Sequence, residues 1–291
     1  GLFGLSDSKW NKGFLAFAEK YDVPIQPIFV KARNSFFFYF ISALNKRLSS
    51  LLLINELFNK RNKVASIHIG NPIPIKNISM YFTKDKTKIK LVKKHLFMIG
   101  KNKYELFRTE KCVVHPLSRK ELRKEITNGE LLGKTADGKS IYFLNYSDFP
   151  VSMQEISRLR EITFRKVGEG TGAKKDTDKY DQLYNHIVLW DENEMEIVGS
   201  YRIGICKSLL STGGINSLYT STLFNLSDCF VKLLPESLEL GRSFVQSKYW
   251  NSMALDYLWL GIGAYLARHP EIKYLFGGVS LSNTYTQEAK D

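Results

Sequence analysis

Cysteine is scarce. The chain has three in 291 residues, Cys112, Cys206 and Cys229, far apart and without Cys-x-x-Cys spacing. That argues against a disulfide framework and a structural zinc site, and it fits a reducing compartment; no metal is expected. Long apolar runs are missing too. The longest, residues 36–44, falls far short of the roughly 20 residues that a membrane-spanning helix needs, and no signal peptide is visible. The chain is expected to touch a membrane but not to cross one. A zinc knuckle, an RNP-like aromatic motif and a long arginine-rich arm are absent, which argues against nucleic acid as a partner.

What is present is positive charge and apolar mass. The formal net charge is +13 and 44% of residues are hydrophobic, the composition of a globular protein with real cores and an anionic partner, either lipid or acidic protein. The length suggests two domains. The first residues, Gly-Leu-Phe-Gly, lack Met, and the last, Gln-Glu-Ala-Lys-Asp, read as the start of a helix; the expectation is a fragment of a longer protein.

Periodicity predicts a helix over 12–20 with Phe14, Phe17 and Ala18 on one face, a strand entered through prolines at 23–30, and a strand at 64–70 that buries His68. Residues 36–58 are apolar and aromatic, interrupted by Asn45-Lys46-Arg47. Eight lysines lie between Lys84 and Lys103, interleaved with apolar residues; they read either as a solvated helix face or as an interfacial basic helix on anionic lipid. A helix is predicted over 116–133, with Ser118 and Glu121 forming a capping box. Ala136-Asp-Gly-Lys reads as a hairpin turn and 140–145 as the strand after it. A helix at 152–167, a flexible glycine-containing loop at 168–175, strands at 186–191, 197–206 and 238–245, a long amphipathic helix at 253–268 and a buried strand at 274–281 complete the order.

Charges recur inside these apolar elements: Arg160, then Asp178 and Asp181, Arg202, Glu239 and Arg242. Charges in apolar strands are unfavourable unless they pair or bind something polar, so the set marks a candidate site. Salt bridges within an ordinary α/β domain are the alternative. Glu239 and Arg242, three apart on one strand, are expected to point to opposite faces.

The ordered series Arg-Glu-Ile-Thr-Phe-Arg (160–165), Val-Gly-Glu-Gly-Thr-Gly (167–172), Asp-Thr-Asp-Lys-Tyr-Asp (176–181), His-Ile-Val-Leu-Trp-Asp (186–191), Glu-Leu-Gly-Arg-Ser-Phe-Val (239–245) and Tyr-Leu-Phe-Gly-Gly-Val-Ser (274–280) resembles the ornithine-lipid N-acyltransferases and, more loosely, the acyl-homoserine-lactone synthases, both GNAT-like acyltransferases. Earlier, Lys9-Trp-Asn-Lys-Gly-Phe14, Val23-Pro-Ile-Gln-Pro-Ile-Phe-Val30 and Ile69-Gly-Asn-Pro-Ile resemble the end of a lysophospholipid (glycerolipid) acyltransferase domain. That family's His and Asp, four residues between them, are absent: His68 and His95 have Ile73 and Gly100 where the Asp would fall.

These resemblances imply an α/β (α+β) chain. Residues 1–80 would be a partial glycerolipid-acyltransferase domain, 81–135 a basic linker and helix, and 136–291 a GNAT sheet with helices on both faces, truncated at its C-terminus. The implied activity is transfer of a 3-hydroxyacyl chain to the α-amine of ornithine or glycine, on the cytoplasmic face of the inner membrane. Glu239 is the expected general base, since burial raises a glutamate's pKa towards neutrality. A backbone N–H of its strand would hold the oxyanion. Arg160, Phe164, Asp178, Asp181, Arg202 and Arg242 are expected to bind substrate, the aspartates taking the acceptor's ammonium and an arginine its carboxylate. The Gln/Arg-x-x-Gly-x-Gly/Ala nest that cradles a coenzyme A pyrophosphate is missing: after Val245 the chain reads Gln-Ser-Lys-Tyr-Trp-Asn-Ser. The expected donor is therefore acyl carrier protein with its phosphopantetheine-linked acyl chain, and no resident cofactor. A signal synthase of the homoserine-lactone type and a non-catalytic membrane-associated protein are the alternatives.

Overall fold

The computed structural model describes residues 9–32, 34–44, 46–61, 64–80 and 84–280, and of 46–50 the backbone only. Both chain ends on which the expectation of a fragment rests lie outside those residues, as do Asn45 and Leu281. The chain divides into two compact units, Gly1–Cys112 and Val113–Asp291.

The first unit contains α1 (Gly13–Tyr21), β1 (Ile28–Lys31), α2 (Phe36–Leu44), α3 (Lys46–Asn59), β2 (Ser66–Ile69), α4 (Ile75–Ser79) and α5 (Asp85–Ile99). β1 and β2 pair antiparallel, Ile28 opposite Ile69. The core is small: Leu15 and Ala18 of α1 meet Ile73, Ile75, Ile78, Val92 and Phe107. Phe17 is 61% exposed, because one helical face cannot hold 14, 17 and 18 against so narrow a core, and Leu15 takes the inner place. His68 is half-buried rather than buried: a two-stranded sheet has no second layer to cover it. The lysine-rich stretch does form a helix, but one stripe of it packs. Lys88, Val92 and His95 are buried, Lys88 bonds Glu19 at 2.7 Å, and His95 Nδ1 accepts the N–H of Leu106 at 3.0 Å.

The second unit contains α6 (Arg119–Ile126), β3 (Glu130–Lys134), β4 (Ser140–Asn145), α7 (Pro150–Val167), β5 (Asn185–Asp191), β6 (Glu196–Ile205), α8 (Cys206–Gly213), the single turn α9 (Asp228–Val231), β7 (Ser237–Val245), α10 (Ala254–Arg268) and β8 (Tyr274–Phe276). The strands lie in sequence order in one sheet. All neighbours are antiparallel except β7 and β8, which α10 connects in parallel. Alternation places Ile187, Leu189, Ile203, Leu238 and Leu240 under α10. Val188, Trp190 and Phe244 face the other way, against Met153 and Ile156 of α7 and Leu122 of α6. Helices thus cover both faces of a mixed α/β domain.

Three local expectations are corrected. The helix predicted to 133 stops at Ile126, since Gly129 turns the chain where an added Cβ would strike Leu144, and 130–134 is the first strand of the hairpin. Ser118 sits at the N-cap without a side-chain bond, so the capping box does not form. β8 is not buried: Tyr274 and Leu275 are 43% and 39% exposed, because nothing among the described residues lies outside this edge strand. It pairs β7 only over Ser237–Glu239. Gly277 then crosses so close that a Cβ would meet the Leu240 carbonyl, and β7 continues to Val245 without a β8 partner among the described residues.

Candidate active site

Strand parity would separate Glu239 from Arg242, but β7 is bulged. Ser200 faces Phe244 and Arg202 faces Gly241, so three steps on β7 oppose two on β6. The extra residue shifts the alternation, and Arg242 adopts the left-handed conformation (φ 47°), one that costs a non-glycine residue about 1–2 kcal/mol. Arg202, directly opposite Gly241, and Glu239, directly opposite Gly204, share a face. Arg242 reaches the same ionic cluster as Arg202, so the expected opposition of Glu239 and Arg242 does not occur.

On that face three arginines interlock with three aspartates. Arg160, from α7, donates to Asp181 at 2.9 Å and to the Asp176 carbonyl at 2.6 Å, with its Nε 3.1 Å from Asp176 Oδ2. Arg202 donates to Asp178 at 2.8 Å and Asp181 at 2.9 Å. Arg242 donates to Asp176 at 2.6 Å and lies 3.3 Å from Asp178. Arg160, Arg202, Asp176 and Asp181 are buried, whereas the Asp178 and Arg242 side chains are each 20% exposed and form the outer edge. Burial pushes the Asp181 carboxyl up, but Arg160, Arg202 and the Asp178 region outweigh it and hold the carboxyl well below the usual carboxylate range. Beneath them His186 is fully enclosed; burial first, then the Arg160 charge, push it down to about 3.

The loop carrying Asp176 is anchored rather than flexible. The buried carboxylate of Glu161 accepts the Thr171 hydroxyl at 2.6 Å, the Thr171 N–H at 3.1 Å and the Gly172 N–H at 2.9 Å. Gly168 closes α7 in the left-handed region at φ 85°, which lets the chain double back onto Glu161.

Glu239 sits further along the same face, 2% exposed. Its carboxylate accepts the Thr220 N–H at 2.7 Å, the Thr220 hydroxyl and the Tyr184 hydroxyl. Tyr184 in turn accepts the Tyr219 N–H at 2.8 Å, and burial with the Glu239 charge raises its phenol far above the ordinary value. The two tyrosines join the carboxylate to the ionic cluster. The Arg202 guanidinium lies 5.0 Å from the Tyr184 ring centroid and 5.3 Å from that of Tyr219, and Arg242 lies 5.5 Å from Tyr219, within cation–π range. Cys206 is nearby but inert as a nucleophile: burial and Glu239 push its thiol up to about 12.

Of the residues singled out in the sequence, Arg160, Asp178, Asp181, Arg202 and Arg242 meet in one network, and Glu239 adjoins it through Tyr184. Phe164 does not join them; it packs half-buried on the apolar cluster that contains Met153 and Trp190. Asp176, Glu161, Tyr184, Tyr219 and Thr220 were missed. Asp176 and Glu161 lay inside quoted motifs, whereas Thr220 and Tyr219 belong to an irregular segment with no periodic signal. Among the described residues no group of His, Cys, Asp and Glu is placed to hold a metal ion.

In the turn before α10 side chains make the following contacts. Trp250 donates to the Val245 carbonyl at 2.8 Å, Tyr249 donates to Glu196 at 2.6 Å, and Asp256 occupies the first turn of α10, where its charge already uses the helix dipole. Beside it a cleft of about 370 Å³ runs along Phe244, Val245, Tyr249, Trp250 and Leu255.

Residues 159–260 match the family model of an acetyltransferase (GNAT) domain. The chain is similar to proteins named glycine N(alpha)-acyltransferase, with 36% identity over 192 residues both in Bacteroides thetaiotaomicron (62% of this chain, 57% of that protein) and in Phocaeicola vulgatus (62% and 59%). It is also 30% identical over 145 residues to the L-ornithine N(alpha)-acyltransferase of Brucella abortus, covering 44% of this chain and 50% of that protein. The chain spans less than two thirds of the length of these relatives. No solved structure matches significantly. The second unit therefore carries a GNAT acyltransferase domain, homologous to glycine and ornithine N-acyltransferases.

Proposed function

We propose that this domain transfers a 3-hydroxyacyl chain from the phosphopantetheine of acyl carrier protein to the α-amine of glycine, in aminolipid synthesis. The observation that carries the reading is the bulge in β7, which brings Arg242 to the same ionic cluster as Arg202, beside Glu239, within the residues that match the acetyltransferase (GNAT) model. Glycine is preferred to ornithine because the match to the glycine enzymes is longer and closer. The acceptor binds at the outer edge of the cluster, its carboxylate on Arg242 and its ammonium on Asp178, while Arg160 and Arg202 hold the inner aspartates in place. Glu239 takes the ammonium proton through the Tyr184 hydroxyl, which passes its own proton on as it receives one. The free amine attacks the thioester carbonyl, a β7 backbone N–H holds the oxyanion, and collapse expels the pantetheine thiolate, which takes up a proton.

The donor reading rests on the missing glycine-rich nest before α10, where the chain reads Gln-Ser-Lys-Tyr-Trp-Asn-Ser after Val245. Charge lends it less weight, because residues 113–291 carry 21 Lys and Arg against 22 Asp and Glu. The first unit is read as the end of an O-acyltransferase domain without its catalytic pair, and the whole as peripheral on the cytoplasmic face of the inner membrane.

Mass spectrometry after incubating the purified chain with 3-hydroxyacyl carrier protein or the matching coenzyme A thioester, and with glycine or ornithine, tests this reading. N-acylglycine formed chiefly from the carrier protein is expected; equal use of both donors would overturn the donor assignment, and no acylated amine would overturn the activity. Glu239→Gln and Tyr184→Phe should each lower kcat by about 10²–10⁴-fold with the same altered pH profile. Normal turnover in either would reject the relay.

A further inference from the structure

Acyl transfer makes no use of the two helices after β1. α2 exposes Phe36, Phe37 and Phe40, and α3 exposes Ile54, Leu57 and Phe58, each more than half accessible. At i, i+1, i+4 on one helix and i, i+3, i+4 on the other, each set forms a single stripe. The opposite sides pack together. Phe38, Ile41 and Leu52 are half-buried, and Glu56 is buried where it accepts the Ser35 N–H at 2.7 Å, which ties the start of α2 to α3. The apolar stripes are thus left outside by a hairpin whose polar contact is satisfied within.

We propose that the α2–α3 hairpin is an interfacial anchor that lays these stripes into the headgroup–acyl boundary of an anionic bilayer. The assignment extends the membrane side of the functional reading and is tested without any acyl transfer. Charge selects the occupant. Residues 1–112 carry 21 Lys and Arg against 7 Asp and Glu, so the whole positive balance of the chain belongs to the unit that holds the hairpin. A second copy of this chain would bring the same excess of cations to the contact, whereas an anionic lipid surface is complementary to it. The lengths fit lying in the interface and not spanning: α2 has 9 residues and α3 has 14, about 14 and 21 Å at 1.5 Å per residue, against a hydrocarbon core of about 30 Å.

Flotation of the full chain with phosphatidylcholine vesicles, with and without phosphatidylglycerol, tests the assignment. Binding is expected only with the anionic lipid and should weaken between about 0.1 M and about 1 M salt. The triple substitution F37S/F40S/L57S should lower the partition coefficient by at least about ten-fold, since one fully buried side chain of this kind already contributes about that much; F37L/F40L/L57I should retain it. Wild-type amide exchange across 36–58 should slow on anionic vesicles, which decides the matter even if the serine variant fails to fold. Undiminished binding by a folded serine variant, protection confined to other segments, or a dimer in sedimentation that the serine variant dissolves, would each overturn the anchor. Acylation of glycine without vesicles should persist in the serine variant, so loss of membrane binding and loss of the enzymatic reading are separable.

Discussion

The two units use charge in opposite ways. In Gly1–Cys112 most of the lysines face solvent and much of the apolar surface does too: Ile28, Val30, Ile67 and Ile69 of its small sheet are all at least half exposed. In Val113–Asp291 charge is balanced and part of it is taken inward, three guanidinium groups against three carboxylates under one face of a six-stranded sheet. The size of the core explains the difference. A unit of two short strands encloses few charged groups, Lys88 and Glu56 among them, and leaves most at the surface; a sheet covered by helices on both faces can enclose a whole cluster once each group has its counterion. Buried ion pairs are weak as a source of stability, so their presence in the second unit points to positioning as their use.

The widest gap between the units should appear on deleting one charge from each. Arg160→Met leaves Asp176 and Asp181 short of a buried partner and should lower stability by about 3–5 kcal/mol, whereas Lys90→Met, on the exposed side of α5, should stay within about 0.5 kcal/mol. Urea titrations followed by circular dichroism measure both; equal losses would erase the contrast.

Acid should sharpen it. His186 is held at about 3 against about 6.5 in an unfolded chain. Between those values the unfolded state binds a proton that the folded state does not, so stability falls as pH falls. The loss from pH 7 to pH 5 attributable to this group is about 2 kcal/mol. Asp181 adds nothing in that window, because its depressed pKa is felt only below the unfolded value of about 3.9. Unfolding free energies of wild type and His186→Gln at the two pH values should differ by that slope; parallel curves would mean that His186 takes up its proton in the fold as it does in the unfolded chain.

The smallest effect probes the bulge. Arg242→Ala and Arg242→Gly both remove the bonds to Asp176, but only glycine relieves the left-handed backbone. The glycine variant should therefore be the more stable by about 1 kcal/mol, read as a difference in urea midpoint. If alanine equals glycine, the strand does not hold φ 47° at this position.

Much of the architecture was legible before any coordinates. Residues 140–145 form β4 as predicted, and the strands over 186–191, 197–206 and 238–245 fall within a residue of β5, β6 and β7, because period-two alternation between two helix layers is strong and local. The inward charges were legible for the same reason: Arg202 and Glu239 break an apolar pattern that would otherwise run unbroken. Their partners were not. Tyr184 stands just before a strand and Tyr219 and Thr220 in short turns, where no period marks which side chains face inward.

Composition and periodicity alone determined the central strands of the sheet, an ordered set of charges that must be paired, and a surplus of lysine that must face water or anions; the division at Cys112–Val113, in place of boundaries at 80 and 135, came from the structure. Which charge meets which was decided by tertiary structure. One extra residue in β7 opposite Ser200–Arg202 overturns the parity that the sequence implies, because a bulge is set by how two strands and the loop from 168 to 181 fit together and leaves no mark in the order of apolar and polar residues.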